Sequence, residues 1–356
     1  MSAAFGAYIH VPFCSHRCDY CAFATWTDKD HLIEQYMAAM VTEARHEVAL
    51  GMAPVTSVFV GGGTPSLVSP ESLMAVIAEL PLTRDAEVTI ECNPDSIDPY
   101  KLATYKAGGA NRVSFGVQSM VPSVLAALGR THDPDNVVAA VTAARVAGFE
   151  RVNLDIIYGG AGESLDDWRT TLDGIVALDP DHVSAYGLTV EPGTELYDDP
   201  SRYPDDDDQA DKYLLADEIL GAAGFANYEI SNWSKPGEEC RHNLLYWSQG
   251  EYAGIGCAAH AHVDGRRFWS VRTPERYIDA VESGQSTEAG SERLDLAERE
   301  VEALQLAIRL REGVPVDVVP DEVIHLVDID ADGTARLNLQ GRLLANEVAV
   351  RLTPRP

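Results

Sequence analysis

Three cysteines lie within eight residues of one another near the start of the chain, in the pattern Cys14-x3-Cys18-x2-Cys21. Three thiolates in one compact loop can each bind a different iron of a cubane iron–sulfur cluster. The fourth iron then has no protein ligand, and such an open coordination position is what a chelating cofactor needs. The spacing therefore predicts a [4Fe–4S] cluster on Cys14, Cys18 and Cys21.

Zinc is the alternative for these thiols. Structural zinc prefers four ligands, usually in two separated pairs. His10 and His16 are close enough in sequence to supply a fourth ligand, so this alternative stays open. Two of the other cysteines, Cys92 and Cys257, resemble small buried residues beside turns.

Short β-branched runs alternate with amphipathic segments through the first half of the chain, which is typical of βαβ units and a parallel sheet. The predicted strands are Tyr8–Val11, Ser57–Val60, Glu87–Cys92, Arg112–Val117, Arg151–Ile157 and His182–Leu188. The predicted helices between them are Leu32–Leu50, Ser69–Glu79, Pro99–Ala107, Pro134–Ala147 and Leu165–Leu178. Six units are too few for a closed eight-stranded barrel, so we expect an α/β fold with an open, three-quarter β/α barrel.

The organisation changes in the second half. The acidic run Tyr203–Gln209 is predicted to be a solvated connection before a helix at Asp211–Ala223. A new helical pattern runs from Leu294 to Gly313, and Ala335–Leu339 looks β-like, which predicts a small C-terminal α+β domain. The expected domains are a barrel at 1–225, an extension of it at 226–290, and a small domain at 291–356.

Polar or glycine-rich residues follow several predicted strands, at Gly61–Thr64, Glu91, Gln118 and Asp155. In a β/α barrel, the carboxyl ends of the strands meet at one face and build the ligand site there. Each residue taken alone could equally cap a helix or form a tight turn. Together with the cysteine loop, they predict a shared binding site.

The segment AYIHVPFCSHRCDYC resembles the cluster loop of the radical-SAM superfamily, and its opening resembles the coproporphyrinogen-oxidase-like branch. The resemblance continues through GGGTPSL, TIECNPD, NRVSFGVQS, LGRTH and NLDIIYG. It implies that the unique iron binds S-adenosylmethionine (SAM). By the same resemblance, the SAM contacts are Tyr8, Tyr20, Gly62, Gly63, Thr64, Glu91, Gln118, Arg130 and Asp155.

Two features separate the chain from the porphyrinogen-oxidising members of that branch. Those enzymes carry a further cysteine two residues after the third ligand, where this chain has Phe23. Residues 242–247 read HNLLYW, which is similar to the HNxxYW motif of the HemW-type haem chaperones. The resemblance implies a protein that binds haem and delivers it to other proteins, with haem contacts at His242, Asn243, Tyr246 and Trp247.

Imidazole is a common axial ligand of haem iron, and aromatic rings can wall a porphyrin. His260, His262 and Cys240 are competing ligands, and His242 could instead be a buried structural histidine. The alternative function is that of an oxygen-independent coproporphyrinogen III dehydrogenase. It would need basic groups for the substrate carboxylates, and the candidates are Arg130, Arg241, Arg266 and Arg267.

The net charge of −29 argues against a nucleic-acid partner, because an acidic surface repels phosphates. The first residues do not resemble a signal peptide, and we expect a cytoplasmic protein. The implied partners are haem and haem-requiring proteins, including membrane-associated respiratory ones. A homodimer is a further expectation by analogy.

Overall fold

A computed structural model describes residues 4–354. Its main element is one twelve-stranded sheet. Its strands are β1 (Phe5–Val11), β2 (Val55–Gly62), β3 (Leu82–Cys92), β4 (Arg112–Gln118), β5 (Arg151–Tyr158), β6 (His182–Gly187), β7 (Ala226–Glu229), β8 (Asn232–Ser234), β9 (Glu251–Ile255), β10 (His260–Val263), β11 (Arg266–Ser270) and β12 (Glu288–Glu292). Their order across the sheet is β12-β11-β10-β9-β1-β2-β3-β4-β5-β6-β8-β7. The first six strands are parallel and the sheet does not close, which confirms the open β/α barrel.

Helices follow most of these strands. They are α1 (Ile33–Ala49), α2 (Pro70–Ala78), α3 (Pro99–Ala107), α4 (Pro122–Ala127), α5 (Pro134–Val146), α6 (Leu165–Ala177), α7 (Asp206–Ala222), α8 (Arg241–Trp247), α9 (Pro274–Glu282), α10 (Leu296–Ala307), α11 (Leu339–Leu343) and α12 (Ala345–Ala349). Several begin with a proline preceded by a capping side chain, as at Ser69, Asp98 and Asp133. Each capping side chain accepts a hydrogen bond from a backbone N–H of the first turn, which has no partner within the helix. Proline suits this position because an N–H at the start of a helix would have no helical acceptor.

The acidic run was predicted to be a connection, but only residues 203–205 precede the helix, whereas residues 206–209 belong to α7. Asp205 caps α7 by accepting the amide of Asp208, and the next three aspartates form the first helical turn. Carboxylates are stabilised there by the positive end of the helix dipole. The helix therefore begins five residues earlier than the predicted Asp211.

β1 lies inside the sheet, because it pairs in parallel with β2 on one side and with β9 on the other. β9 begins a mostly antiparallel extension formed by β10, β11 and β12. An Asp264–Gly265 turn joins β10 to β11, and both residues have positive φ angles, of 52° and 67°. Asp-Gly is the pair that a two-residue hairpin turn of this kind prefers.

The C-terminal residues form a second, three-stranded sheet of β13 (Val314–Pro315), β14 (Val327–Ile329) and β15 (Thr334–Leu337), as the α+β prediction requires. Its apolar core, which includes Ile308, Val348 and Leu352, is separate from the core of the large sheet. The β-like segment ends at Leu337, since Leu339 already begins α11. The three domain boundaries stay predictions. Across residues 4–354, no helix is long and apolar enough to cross a membrane.

Candidate functional site

The three cysteines lie in one closed loop at the carboxyl end of β1. The amide of Cys14 donates to the carbonyl of Trp26 at 3.0 Å, and the Trp26 amide donates to the carbonyl of Pro12 at 2.8 Å. Within the loop, the Cys21 amide donates to the Cys18 carbonyl at 3.0 Å. The backbone therefore holds the three thiols in a single compact segment, as the sequence predicts.

The glycine-rich turn after β2 fastens this loop. The amide of Gly63 donates to the Val11 carbonyl at 2.7 Å, and the Thr64 amide donates to the Phe13 carbonyl at 2.8 Å. A Cβ on Gly63 would lie only 2.6 Å from the Phe13 carbonyl oxygen, so the close approach requires glycine. These two amides serve the cysteine loop, whereas the sequence suggested that they would meet a cofactor.

Hydrogen-bond donors lie next to the thiols of Cys14 and Cys18. The Thr64 hydroxyl donates to Cys14 Sγ at 3.6 Å, and Arg130 Nη1 donates to Cys18 Sγ at 3.4 Å. Two further buried donors, the Thr25 hydroxyl and Arg130 Nε, have no hydrogen-bond partner among residues 4–354. Donors aimed at sulfur stabilise thiolate-bound clusters, so this donor set fits an anionic [4Fe–4S] group.

The loop suits a cluster better than a zinc ion. His10, one proposed fourth zinc ligand, has both ring nitrogens engaged, with the Tyr8 hydroxyl at 3.0 Å and the Ala24 carbonyl at 2.9 Å. In the described part of the chain, no three His, Cys, Asp or Glu side chains are arranged to share one metal ion. A cubane does not need that convergence, because each thiolate binds its own iron.

Two carboxylates, on β3 and β5 on either side of β4, face the interior of the barrel. Glu91 lies near the end of β3, and burial raises its pKa to about 8, with the charge of Asp155 adding to the shift. Asp155 accepts hydrogen bonds from the Ser114 hydroxyl at 2.7 Å and from Asn153 Nδ2 at 2.8 Å. It lies within β5 and not at its end, because that strand continues to Tyr158. Asp155 is thus deeper in the barrel than the sequence suggested.

The remaining predicted SAM contacts lie around the same mouth. Gln118 ends β4 with a positive φ of 63°, and Arg130 Nη2 donates to the Gly116 carbonyl on that strand at 2.8 Å. Tyr20 neighbours Cys18 and Arg130 but packs into an apolar cluster with Leu128 and others. Tyr8, Gly62 and Glu91 line a common cavity.

His242 lies beside Gly6 on β1 and Ser57 on β2, and it has no exposed surface. Its Nδ1 lies 3.0 Å from Ser57 Oγ on β2, and its Nε2 lies 2.8 Å from the Tyr246 hydroxyl. Burial lowers its pKa to about 4, so the ring is neutral. With both nitrogens engaged, the imidazole holds α8 against the sheet and offers no free atom to an iron.

The other residues of the HNLLYW segment have different surroundings. Tyr246 lines the cavity, and its ring contacts that of Tyr252 with centroids 4.7 Å apart. Trp247 lies beneath the guanidinium of Arg309, whereas Asn243 is only partly buried on α8. Cys240, the competing thiol, is fully buried beside Glu87, and burial raises its pKa to about 12. Among these residues, only Tyr246 lines the cavity.

The cavity has a volume of about 910 Å³, within the usual range for a small-molecule or cofactor site. One wall is the cluster loop at Ala22, Phe23 and Ala24. The opposite wall is the extension, where His260 pairs with Trp269 and His262 pairs with Arg267 across β10 and β11. α10 closes one side with Glu302 and Leu306.

The lining residues that were not recognised as part of a site from sequence include Tyr252, Trp269 and Arg272. The Asp264–Gly265 pair is the sequence feature that could have revealed the β10–β11 hairpin and its cavity-facing residues. A two-residue hairpin turn fixes the register of its strands, and the period of two then places His260 and Trp269 on one face. Phe23, noted in the sequence only because it replaces a cysteine, is 66% exposed and also lines this cavity.

The arginines considered for substrate carboxylates are mostly engaged elsewhere. Arg241 donates to the Asp85 carbonyl at 2.9 Å, Arg266 pairs with Glu288, and Arg130 contacts the cluster loop. Arg267 lines the cavity but is paired with Glu302 and, at 3.4 Å, with Glu292.

Comparison with known proteins agrees with this geometry. The family described as the Radical SAM superfamily matches residues 8–175. The heme chaperone HemW of Mycobacterium tuberculosis is 44% identical over 88% of this chain and 83% of that protein. The HemW proteins of Escherichia coli and Bacillus subtilis are 36% and 31% identical, over 85% and 96% of this chain and 84% and 97% of their own lengths.

Among solved structures, the coproporphyrinogen III oxidase HemN of Escherichia coli superposes with a TM-score of 0.85 over 98% of this chain and 90% of that chain. Its sequence identity is 21%, so this likeness shows the fold alone. Radical SAM proteins as a class imply a [4Fe–4S] cluster and SAM, which suits the three-cysteine loop. From its sequence relatives, the chain belongs to the HemW family within the radical SAM superfamily.

Proposed function

We propose that this protein is a haem chaperone, which binds haem and transfers it to haem-requiring proteins while carrying a SAM-binding [4Fe–4S] cluster. The observation that supports it most is the cavity of about 910 Å³ between the cluster loop and the β10–β11 hairpin. Aromatic and aliphatic side chains line it together with histidines, and these are the groups that contact a porphyrin and its iron.

Cys14, Cys18 and Cys21 would hold the cluster, and Arg130, Thr64 and Thr25 would donate hydrogen bonds to its sulfur atoms. Tyr8, Tyr20, Gln118 and the residues around Gly62 would surround SAM. Glu91 would accept from the polar groups of SAM, whereas Asp155 would act from deeper in the barrel. When bound, the cluster supplies an iron for the amino-acid end of SAM and an electron for its cleavage.

The HNLLYW segment would serve haem indirectly. Tyr246 faces the cavity, and His242 orients Tyr246 through the hydrogen bond between Nε2 and the phenol. Asn243 and Trp247 would support α8 at this position. The segment would therefore shape the floor of the haem site.

The rival function is oxygen-independent coproporphyrinogen III dehydrogenase activity. An anaerobically reconstituted sample, incubated with SAM and coproporphyrinogen III and then titrated with haemin, separates the two. We expect haemin to bind tightly and no protoporphyrinogen to form, with haem passing to an added haem-free globin. Formation of protoporphyrinogen, or failure to bind haemin, would overturn the proposal.

The acceptors would be haem-requiring proteins, including membrane-associated respiratory ones that the chaperone reaches from the cytoplasm. A homodimer would add a second copy of the site. Crosslinking of the haem-loaded protein to candidate acceptors, and sedimentation of the reconstituted protein, test these two points. Absence of any crosslink that depends on haem would contradict the first.

A further inference from the structure

Three histidines line the cavity, and they differ in whether their ring nitrogens are engaged. Both nitrogens of His10 are hydrogen-bonded, and the ring is 5% exposed. His262 is 6% exposed, and its Nδ1 is bonded to the Gly250 carbonyl at 2.9 Å. His260 is exposed, and its side chain makes no hydrogen bond or ion pair with any described residue.

The His260 ring is nevertheless held in place. It stacks on Trp269, with ring centroids 5.6 Å apart and planes inclined by 28°. Trp269 in turn covers Gly290 on β12, where a Cβ would lie 2.6 Å from the indole. The glycine makes room for the indole, and the indole orients the imidazole, which leaves its ring nitrogens available to an incoming ligand.

A single unpaired cation lies beside these rings among the described residues that line the cavity. Arg272 follows β11 and is exposed, with no ion pair or hydrogen bond of its guanidinium within residues 4–354. The other lining arginine, Arg267, is neutralised by Glu302 and Glu292. In a chain of net charge −29, an unpaired arginine in a cavity is suited to a carboxylate ligand.

We propose that haem sits in this cavity with its iron on His260 and a propionate on Arg272, so that the iron ligand lies outside the HNLLYW segment. The assignment rests on the proposed haem-chaperone function and adds the orientation of the cargo. Phe23 and Trp269 line the same cavity and would contact the porphyrin.

The test compares haemin with protoporphyrin IX, which lacks iron. Full-length His260→Ala, Arg272→Gln and the wild type are titrated with each, and the Soret band and the electron paramagnetic resonance spectrum of the ferric complex are recorded. We expect His260→Ala to bind haemin at least tenfold more weakly with a shifted Soret band, and to bind protoporphyrin IX normally. Added imidazole should restore the wild-type spectrum. Arg272→Gln should weaken both ligands about tenfold.

The controls are His325→Ala and Arg276→Gln, because both side chains are exposed and lie away from the cavity. Wild-type spectra and affinities in His260→Ala would overturn the assignment of the iron ligand. Equal loss of protoporphyrin IX and haemin in His260→Ala would do the same, since that result indicates a general loss of the cavity. If the wild type fails to bind haemin at all, the proposed function itself fails, and this outcome is distinct from the others.

Discussion

Ser57 Oγ lies 3.0 Å from His242 Nδ1, and this contact joins α8 to β2 across 185 positions of sequence. On the other side of the ring, Nε2 meets the Tyr246 hydroxyl at 2.8 Å. The histidine of the HNLLYW segment thus acts as a cross-link inside the barrel.

Replacement of His242 should destabilise the fold. His242→Ala leaves two hydroxyls without a partner and opens a cavity, so we expect the free energy of unfolding to fall by about 2–4 kcal/mol. Ser57→Ala removes one hydrogen bond and should cost about 1 kcal/mol. Urea denaturation of the two variants checks this. Wild-type stability of His242→Ala would contradict the structural role.

The stability difference between wild type and His242→Ala should also depend on pH. The pKa of His242 lies at about 4 in the folded chain, against 6.5 for an unperturbed histidine. The unfolded chain therefore binds the proton first, and the contribution of the neutral ring is lost as pH falls from about 6.5 to about 4. Denaturation at pH 7 and pH 5 should show the difference narrowing at the lower pH, and a constant difference would oppose the assignment.

Glu91 should have the opposite pH dependence. Its pKa rises from 4.5 to about 8 on folding, so the folded chain keeps a proton that the unfolded chain releases. Stability contributed by the protonated form is therefore lost as pH rises between these values. We expect Glu91→Gln to stabilise the protein without SAM by on the order of 2 kcal/mol more at pH 8 than at pH 5.

The matched control for Glu91 is Glu150→Gln, because Glu150 is exposed. The same Glu91→Gln variant should bind SAM more weakly, as measured by equilibrium dialysis of the reconstituted protein. A stability gain that is equal at both pH values would show that Glu91 is ionised in the folded chain.

Arg130 should raise the reduction potential of the cluster. Its guanidinium donates to Cys18 Sγ, and a nearby positive charge favours the reduced, more negative state. We expect Arg130→Gln to lower the midpoint potential by about 60 mV, which corresponds to about 1.4 kcal/mol for one electron. Arg130→Lys keeps the charge and should lower it less. A redox titration monitored by electron paramagnetic resonance measures the three midpoint potentials. Equal potentials in all three proteins would contradict a role for Arg130 in setting the potential.

Phe23 should contribute apolar contact to haem. Its side chain is 66% exposed and lies at the cavity wall. Partial burial of a phenylalanine is worth roughly 1–2 kcal/mol, so Phe23→Ala should weaken both haemin and protoporphyrin IX about tenfold. Tyr100→Ala serves as the control, because Tyr100 is 64% exposed but lies on α3. Unchanged affinity for both ligands would remove Phe23 from the site.

The barrel could be predicted from sequence because its signals are local. Each of the first six strands is a short β-branched run, and most of their helices have a capping residue or proline at the start, as α2, α3, α5 and α6 do. The observed strand bounds differ from the predicted ones where a strand begins before its continuous apolar run. For example, β3 starts at Leu82 and not at Glu87. The cysteine loop was equally local, since all three ligands lie on one segment.

The haem segment could not be placed in the same way. The burial of His242 depends on Ser57, and nothing near residue 242 reveals that contact. The pairing of β9 with β1 is also long-range, so the sequence predicted an extension at 226–290 without indicating which strand carries it. A residue type and a motif can suggest a ligand, but whether its nitrogens are free is a property of the packed chain.

The position of β1 between β2 and β9 has a mechanical consequence. One strand carries the cluster loop at its end and supports, through its other edge, the sheet that forms the facing wall of the cavity. A shift of this strand would displace both walls together, since hydrogen bonds fix it on each side. A substitution in β1 should therefore affect cluster assembly and haem binding together, because the same strand positions both sites.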